Sequence, residues 1–270
     1  MVIWKKYKAE HSENRMKHEG DVVHARNSYY KNKPTNLYFL FKERYGWMNK
    51  YIKKGDKVLE IGCGTGISKD FLRKDAKVLL TDFADHPWVD RKVDALNTPF
   101  KKNTFDVIYC SNMIHHVPFP FKFFKEMHRI LKSEGYLLIQ EINCSISMRI
   151  LLRAMRHEGW SFDADPYDLI KPATDEEDLW SANCAIPNLL FDDLRTFNKK
   201  IPFFDVKETK FSEFFLFPIS GGVIAKTKTI NLPISVLKII NKIDNFLTYL
   251  SPSLFALQRR IVLKKNDNSP

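Results

Sequence analysis

Glycines at 62, 64 and 66, with acids at 60 and 82, are the residues of this chain whose types and spacing could do chemistry. The stretch KVLEIGCGTG carries Val58, Leu59 and Ile61 straight into the three glycines, a setting in which the chain turns tightly and a ligand can approach its backbone. Asp82 closes the next apolar run, twenty residues after Gly62, where a carboxylate can accept both hydroxyls of a ribose. Together these features predict a nucleotide-like cofactor. Glu60 bears on its charge, because a carboxylate two residues before the turn would repel a pyrophosphate and favour a cation. Ile67 also stands where a dinucleotide fingerprint has its third glycine. His115 and His116 form a second group, at the end of another apolar run. There an imidazole can take a hydroxyl proton near neutral pH, or simply bond a loop.

Elements must position these residues. The spacing predicts a helix over 36–52, a strand into the glycines, a helix continuing through ISKDFLRKD, and a strand over AKVLLTDF (76–83). TFDVIYCSN (104–112), FPFKFFKEMHRILK (119–132) and GYLLIQEI (135–142) repeat the alternation as strand, amphipathic helix and strand. Strands alternating with helices imply a mainly parallel sheet with right-handed crossovers, so the fold class is α/β, Rossmann-like, with helices on both faces. Ligands then bind beyond the carboxyl ends of the strands. Residues 143–202 interrupt the repeat with two helical patches around an acidic loop, FDADPYDLIKPATDEED, and are expected to form an inserted substrate-side cap. The chain divides into a basic arm (1–35), a cofactor-binding core (36–142), the cap (143–202) and a closing segment (203–270). That last segment has extended structure over 203–217, a strongly apolar helix over 234–250 and a final strand over 255–265.

The motifs V-L-E-I-G-C-G-T-G (58–66), T-D-F (81–83), D-A-L-N-T-P-F (94–100), F-D-V-I-Y-C-S-N-M-I-H-H-V (105–117) and R-I-L-K-S-E-G-Y-L-L-I (129–139) occur in order. Over roughly 40–142 the chain resembles the class I S-adenosylmethionine-dependent methyltransferases. The resemblance implies S-adenosylmethionine as cofactor. Glu60, Gly62, Cys63 and Gly64 would hold its methionine part, Asp82 its ribose with Phe83 alongside, and Asp94 and Ala95 its adenine. Ser111 would line the pocket, and a His-His pair after this strand is common among such relatives as an architectural feature, so His115 or His116 is a candidate base by its position at the cleft mouth and not by the resemblance. Ser133-Glu134-Gly135 departs from the Pro-Gly-Gly of many relatives, at a turn remote from the cofactor. A looser similarity over 150–265, carried by H-E-G-W-S-F-D (157–163), N-C-A-I-P-N-L-L-F (183–191) and F-P-I-S-G-G (217–222), is to bacterial methyltransferases associated with surface glycans. It implies O-methylation of a small or glycan- or lipid-linked acceptor, with His157, Glu158 and Asn183 on the acceptor side.

Composition bounds these readings. With 270 residues, 44% of them hydrophobic, the chain can bury a sizeable core and is not a disordered or stapled mini-protein. The four cysteines at 63, 110, 144 and 184 contain no CxxC pair, so a reducing cytoplasm is expected and no metal. The start lacks the apolar centre of an export signal, and no run of 18 apolar residues predicts a membrane span. Residues 1–57 hold 14 basic against 6 acidic residues, a net +8 out of +11. A basic segment of this kind suits RNA, an anionic membrane face or a phosphorylated substrate, or serves only as a solubilising surface. Nucleic acid is disfavoured as a partner: Ser111-Asn112-Met113-Ile114 is not an adenine-methylating Asn-Pro-Pro-Tyr, and neither Cys110 nor Cys184 follows a proline. An RNA methyltransferase using the basic arm remains an alternative, as does a cofactor-binding scaffold without activity. Helix 234–250 has apolar residues on more than one side. That predicts burial on two sides, a dimer contact, or peripheral contact with the inner membrane face.

Overall fold

A computed structural model describes residues 5–8, 18–155, 158–178, 181–223 and 229–266. The first elements are β1 (Lys6–Tyr7), α1 (His18–Asn32) and α2 (Thr35–Tyr45). The first half of the sheet follows as β2 (Lys57–Ile61), β3 (Lys77–Asp82), β4 (Arg91–Lys92), β5 (Phe105–Ser111), α3 (Pro120–Ile130) and β6 (Leu131–Ile142). Residues 143–202, expected above to form a cap, hold α4 (Ile146–Met155), β7 (Trp160–Ser161), α5 (Ile186–Phe191) and α6 (Leu194–Lys200). The chain closes with β8 (Phe204–Ser212), α7 (Leu216–Ser220), α8 (Ile234–Leu250), α9 (Pro252–Phe255) and β9 (Gln258–Lys265).

Seven strands form one sheet in the order β4-β3-β2-β5-β6-β9-β8. The pairs from β4 to β6 are parallel, while β9 runs antiparallel to both β6 and β8. Side chains of a strand alternate between faces, which divides the core in two. Leu59, Ile61, Ile108, Cys110, Leu137 and Ile139 face the layer of α3, whose Phe123, Phe124, Met127 and Ile130 recur at helical spacing and are fully buried. Val58, Val107, Tyr109 and Leu138 face the layer of α2 with Leu40, Phe41 and Met48. The same alternation sends Glu60, the register partner of Tyr109, to the α2 side.

Several expectations change on folding. The 1–35 segment reads as an arm, yet 18–32 is helical and buries Val22, Ala25 and Tyr29. Its apolar positions are few, so only the contact with the core makes the helix worth forming. After the glycines there is a single 3-10 turn, Ile67–Phe71, rather than a longer helix. The chain turns extended at Leu72, and Arg73 is tied back to Asn49 and to the Ile52 carbonyl. The patch NLLFDDLRTFNKK splits into α5 and α6 at Asp192-Asp193, where the Asp193 side chain accepts from the Arg195 and Thr196 N–H groups and caps α6. Extended structure in the closing segment ends at Ser212.

Helix α8 occupies the expected residues but packs on one side only. Leu237, Asp244 and Thr248 are buried, while Val236, Ile239, Ile243 and Phe246 line an exposed face. Asp244 accepts from the N–H groups of Phe214, Phe215 and Leu216 at 2.9 Å each, so a carboxylate from α8 caps the start of α7. Among the described residues no helix is long and apolar enough to cross a membrane.

Candidate active site

At the carboxyl edge of β2 the chain turns through Gly62, Gly64 and Gly66, all at positive φ (71°, 48° and 61°). Cys63 N–H donates to the Thr81 carbonyl and Gly66 N–H to the Cys63 carbonyl. Asp82, at the end of β3, accepts from Gly64 N–H at 2.7 Å and from Ala84 N–H at 3.0 Å. The loop is therefore held by the same carboxylate that the ribose reading requires. Phe83 is exposed beside it, with the Lys92 ammonium 5.4 Å from its ring centre. Asp94 and Ala95 follow β4, where Val93 N–H donates to the Asp82 carbonyl and Asp94 folds back on Leu96 N–H. Ser111 ends β5. The sheet thus brings Gly62, Cys63, Gly64, Asp82, Phe83, Asp94, Ala95 and Ser111 to one edge.

Glu60 lies differently from the reading in which it offers charge to the cofactor. It is 1% exposed, and its carboxyl accepts from the Ser68 hydroxyl at 2.5 Å and the Tyr109 hydroxyl at 2.7 Å. Burial pushes its pKa up from the usual 4.5 to about 8, against the two hydroxyl donors. It braces the inside of the sheet through Ser68 and Tyr109, and the carboxyl group at the open face of the loop is that of Asp82.

Three residues that sequence reasoning missed cover the loop. Trp88 donates its indole N–H to the Gly64 carbonyl at 2.7 Å and stacks on His86. Arg26 of α1 donates to the Thr65 carbonyl and lies 4.6 Å from the Trp88 ring centre. A Cβ on Gly66 would stand 2.7 Å from Trp88, and one on Gly62 only 2.5 Å from Met113. At Gly64 a Cβ would meet nothing within 4 Å. The open face of the loop is therefore at Gly64, beside a carboxylate, a setting that fits a cationic cofactor with ribose hydroxyls better than a diphosphate.

A second cluster lies where the cap meets the turn after β5. His115 presents Nδ1 to the Glu141 carboxylate at 2.7 Å, and Glu141 also accepts from the Ile114 and Ile142 N–H groups. His115 Nε2 is 3.5 Å from Glu158 Oε2, and His116 Nε2 is 3.7 Å from Glu158 Oε1. His116 Nδ1 faces the Ser181 carbonyl at 3.1 Å, so Nδ1 carries the proton and Nε2 the lone pair. Burial alone would push the His115 pKa down, but the carboxylates of Glu141 and Glu158 overcome it and hold it well above the usual value. Burial and the neighbouring His115 cation push His116 down. The Cys184 thiol donates to Glu158 at 3.2 Å, and burial raises its pKa far above normal.

Asn183 spends its side chain on the backbone. It accepts from the Ser161 and Ala185 N–H groups and donates to the Ser161 carbonyl, while its own N–H donates to the His115 carbonyl. His157 lies outside the described residues. Glu141 carried a signal in the sequence, an acid inside the apolar run LLIQEI. Trp88, Arg26 and Met113 carried none.

Comparison with known proteins accords with this edge of the sheet. The chain is 35% identical over 111 residues to an uncharacterized protein of Methanocaldococcus jannaschii, covering 38% of this chain and 49% of that protein. It is 29% identical over 108 residues to a ubiquinone biosynthesis O-methyltransferase of Aliivibrio fischeri, covering 34% and 46%. It thus spans about half the length of the curated relatives it matches. The fold is similar to that of a SAM-dependent methyltransferase from Archaeoglobus fulgidus, with a TM-score of 0.52 at 19% identity over 84% of this chain and 93% of the other. The pattern of a methyltransferase domain matches residues 30–184, more than half of the sequence and inclusive of the glycine loop, Asp82 and the histidine pair, and the chain belongs to that methyltransferase-domain family.

Proposed function

We propose that the protein transfers a methyl group from S-adenosylmethionine to a hydroxyl oxygen of a small polar acceptor. The observation that carries the reading is the glycine loop open at Gly64 beside Asp82, at the carboxyl edge of a parallel sheet. Gly64 and its neighbours Gly62 and Cys63 would hold the methionine part, Asp82 the ribose and the Asp94-Ala95 turn the adenine. The bound donor supplies an electrophilic methyl on a sulfonium. The protein's task is to place an oxygen lone pair behind that methyl for in-line displacement.

The histidine cluster suits the acceptor side. His116 Nε2 carries a lone pair and its side chain is 23% exposed, against 3% for His115, which supports His116 over His115 as the base that takes a hydroxyl proton. The cap holds a cavity of about 430 Å³ lined by Lys6, Asp163, Asp165, Asp168, Lys171 and Asn183. Carboxylates and ammonium groups in such a wall can accept from and donate to the hydroxyls of a sugar-like molecule. The cavity shares Asn183 with the backbone that supports His115.

The test is incubation of the full chain with donor labelled in its methyl group and cell extract separated into polar metabolites, lipid-linked glycans and RNA. Label in the first or second fraction supports the reading. Label in RNA favours the basic-arm alternative, and donor binding without transfer to any fraction favours a scaffold.

A further inference from the structure

His115, His116 and Glu158 each offer one ligand atom, and these atoms lie within 4.8 Å of one another. Both imidazoles are oriented from behind. Glu141 fixes Nδ1 of His115, and Glu141 is itself fixed by two backbone N–H groups; the Ser181 carbonyl fixes Nδ1 of His116. Each Nε2 is thereby turned toward the Glu158 carboxylate. A histidine whose far nitrogen is bonded to a carboxylate or a carbonyl is the arrangement that sets tautomer and ring orientation for metal binding.

The segments that carry the three groups are also locked to one another. Asn183 N–H donates to the His115 carbonyl at 2.8 Å, Cys184 N–H donates to the Gly159 carbonyl at 3.0 Å, and Gly159 bridges Asn183 in parallel fashion. Ligands in a tetrahedral zinc site lie about 3.3 Å apart, given bonds of about 2.0–2.2 Å. The two nitrogen–oxygen separations here are 3.5 Å to one oxygen of Glu158 and 3.7 Å to the other, and all three ligand atoms lie within 4.8 Å of one another, so side-chain rotations that bring them together by up to about 1.5 Å would close the set on an ion.

We infer that His115 Nε2, His116 Nε2 and the Glu158 carboxylate form a binding site for a divalent first-row transition metal ion of the zinc type, with the ion replacing the proton between His115 and Glu158. Two imidazoles and one carboxylate select such ions over magnesium or calcium, which prefer all-oxygen sites. Three protein ligands leave a fourth position, on the more exposed His116 side, for water or an acceptor hydroxyl. The last step rests on the proposed methyl transfer. The ion would make a hydroxyl bound there more acidic, so that its proton passes to solvent water on the exposed side and the oxygen then takes the methyl while S-adenosylhomocysteine leaves, with His116 a ligand instead of the base. Binding of the ion does not depend on that reading.

The experiment uses the full chain, stripped with a chelator and then reloaded with Zn²⁺ or with Co²⁺ as a coloured substitute. Metal content after gel filtration and visible absorption are the readouts. One equivalent per chain, a tetrahedral cobalt spectrum and no displacement by excess Mg²⁺ are expected. His116→Ala and the shape-conserving Glu158→Gln should each weaken Zn²⁺ binding by at least roughly tenfold, as should Glu141→Gln through His115. Calorimetry with S-adenosylmethionine on the same samples checks that the fold survives and separates the two readings. A native chain that binds the donor but retains no stoichiometric Zn²⁺ overturns the metal site, as do variants that bind Zn²⁺ as tightly as the native chain. Loss of donor binding with Zn²⁺ retained overturns the methyltransferase reading instead.

Discussion

Asp82 and Glu60, both within reach of the glycine loop, have opposite physical roles. Asp82 accepts from Gly64 N–H at the open face of the loop, so Asp82→Ala removes a charged acceptor from the loop and, on the proposed reading, from the ribose of the donor. S-adenosylmethionine affinity should fall roughly tenfold to a hundredfold, about 1.5–3 kcal/mol, by calorimetry. Glu60 is held protonated in the fold to about pH 8, whereas the unfolded chain releases that proton near 4.5. The folded state therefore binds more protons between those values, and stability falls as pH rises from about 4.5 to about 8, then levels off. Urea unfolding at pH 5 and at pH 8 should show that loss in the native chain and a smaller one in Glu60→Gln. Equal losses in both would mean that the carboxyl is ionised inside the sheet. The positions of both acids were legible in the sequence. Their difference was not, because it depends on the side of the sheet to which each points and on Ser68 and Tyr109 waiting there.

At the scale of the element, the glycine loop is under two separate constraints. All three glycines have left-handed backbone, but only Gly62 and Gly66 are also crowded by side chains. Gly62→Ala must displace Met113 and should lower stability by about 1–3 kcal/mol in urea titrations. Gly64→Ala costs only the backbone strain, about 1 kcal/mol, yet puts a methyl group into the open face where the proposed reading seats the donor, so on that reading donor affinity should fall more than stability does. Helix α1 is the loop's outer wall. Arg26→Ala cuts the link to Thr65 and the stack on Trp88, and should speed hydrogen exchange at the loop amides with little change in global unfolding. The sequence told of the loop because its signal is local, glycines directly after a strand. It did not tell of the wall: Arg26 and Thr65 lie 39 residues apart, in a segment with too few apolar positions to announce a packed helix.

Across the whole molecule, two buried arginines tie together segments that lie far apart in the chain. Arg44 of α2 pairs in two-pronged fashion with Glu213, just after β8, at 2.8 and 2.7 Å, with both side chains almost fully buried. Removing one partner strands the other in a medium of low polarity. Glu213→Ala should cost about 3–5 kcal/mol in equilibrium unfolding. Arg259 of β9 reaches the cap through Asp192, Asn143 and the Pro187 carbonyl, so the last strand fixes the cap over the histidine cluster. No motif marks either arrangement, since each joins residues dozens to hundreds of positions apart.

The sequence by itself determined the alternation of strands and helices, the mainly parallel sheet, the glycine loop with Asp82 and the interruption of the repeat after residue 142. These follow from periodicity and from turn chemistry, which act over a few neighbouring residues. Only the tertiary structure decided that Glu60 braces the sheet's interior, that α1 and Trp88 wall the loop, and that Glu141 and Glu158 meet the histidine pair from opposite sides. Those outcomes depend on which side chains are buried together, and burial is a property of the packed chain rather than of any one segment.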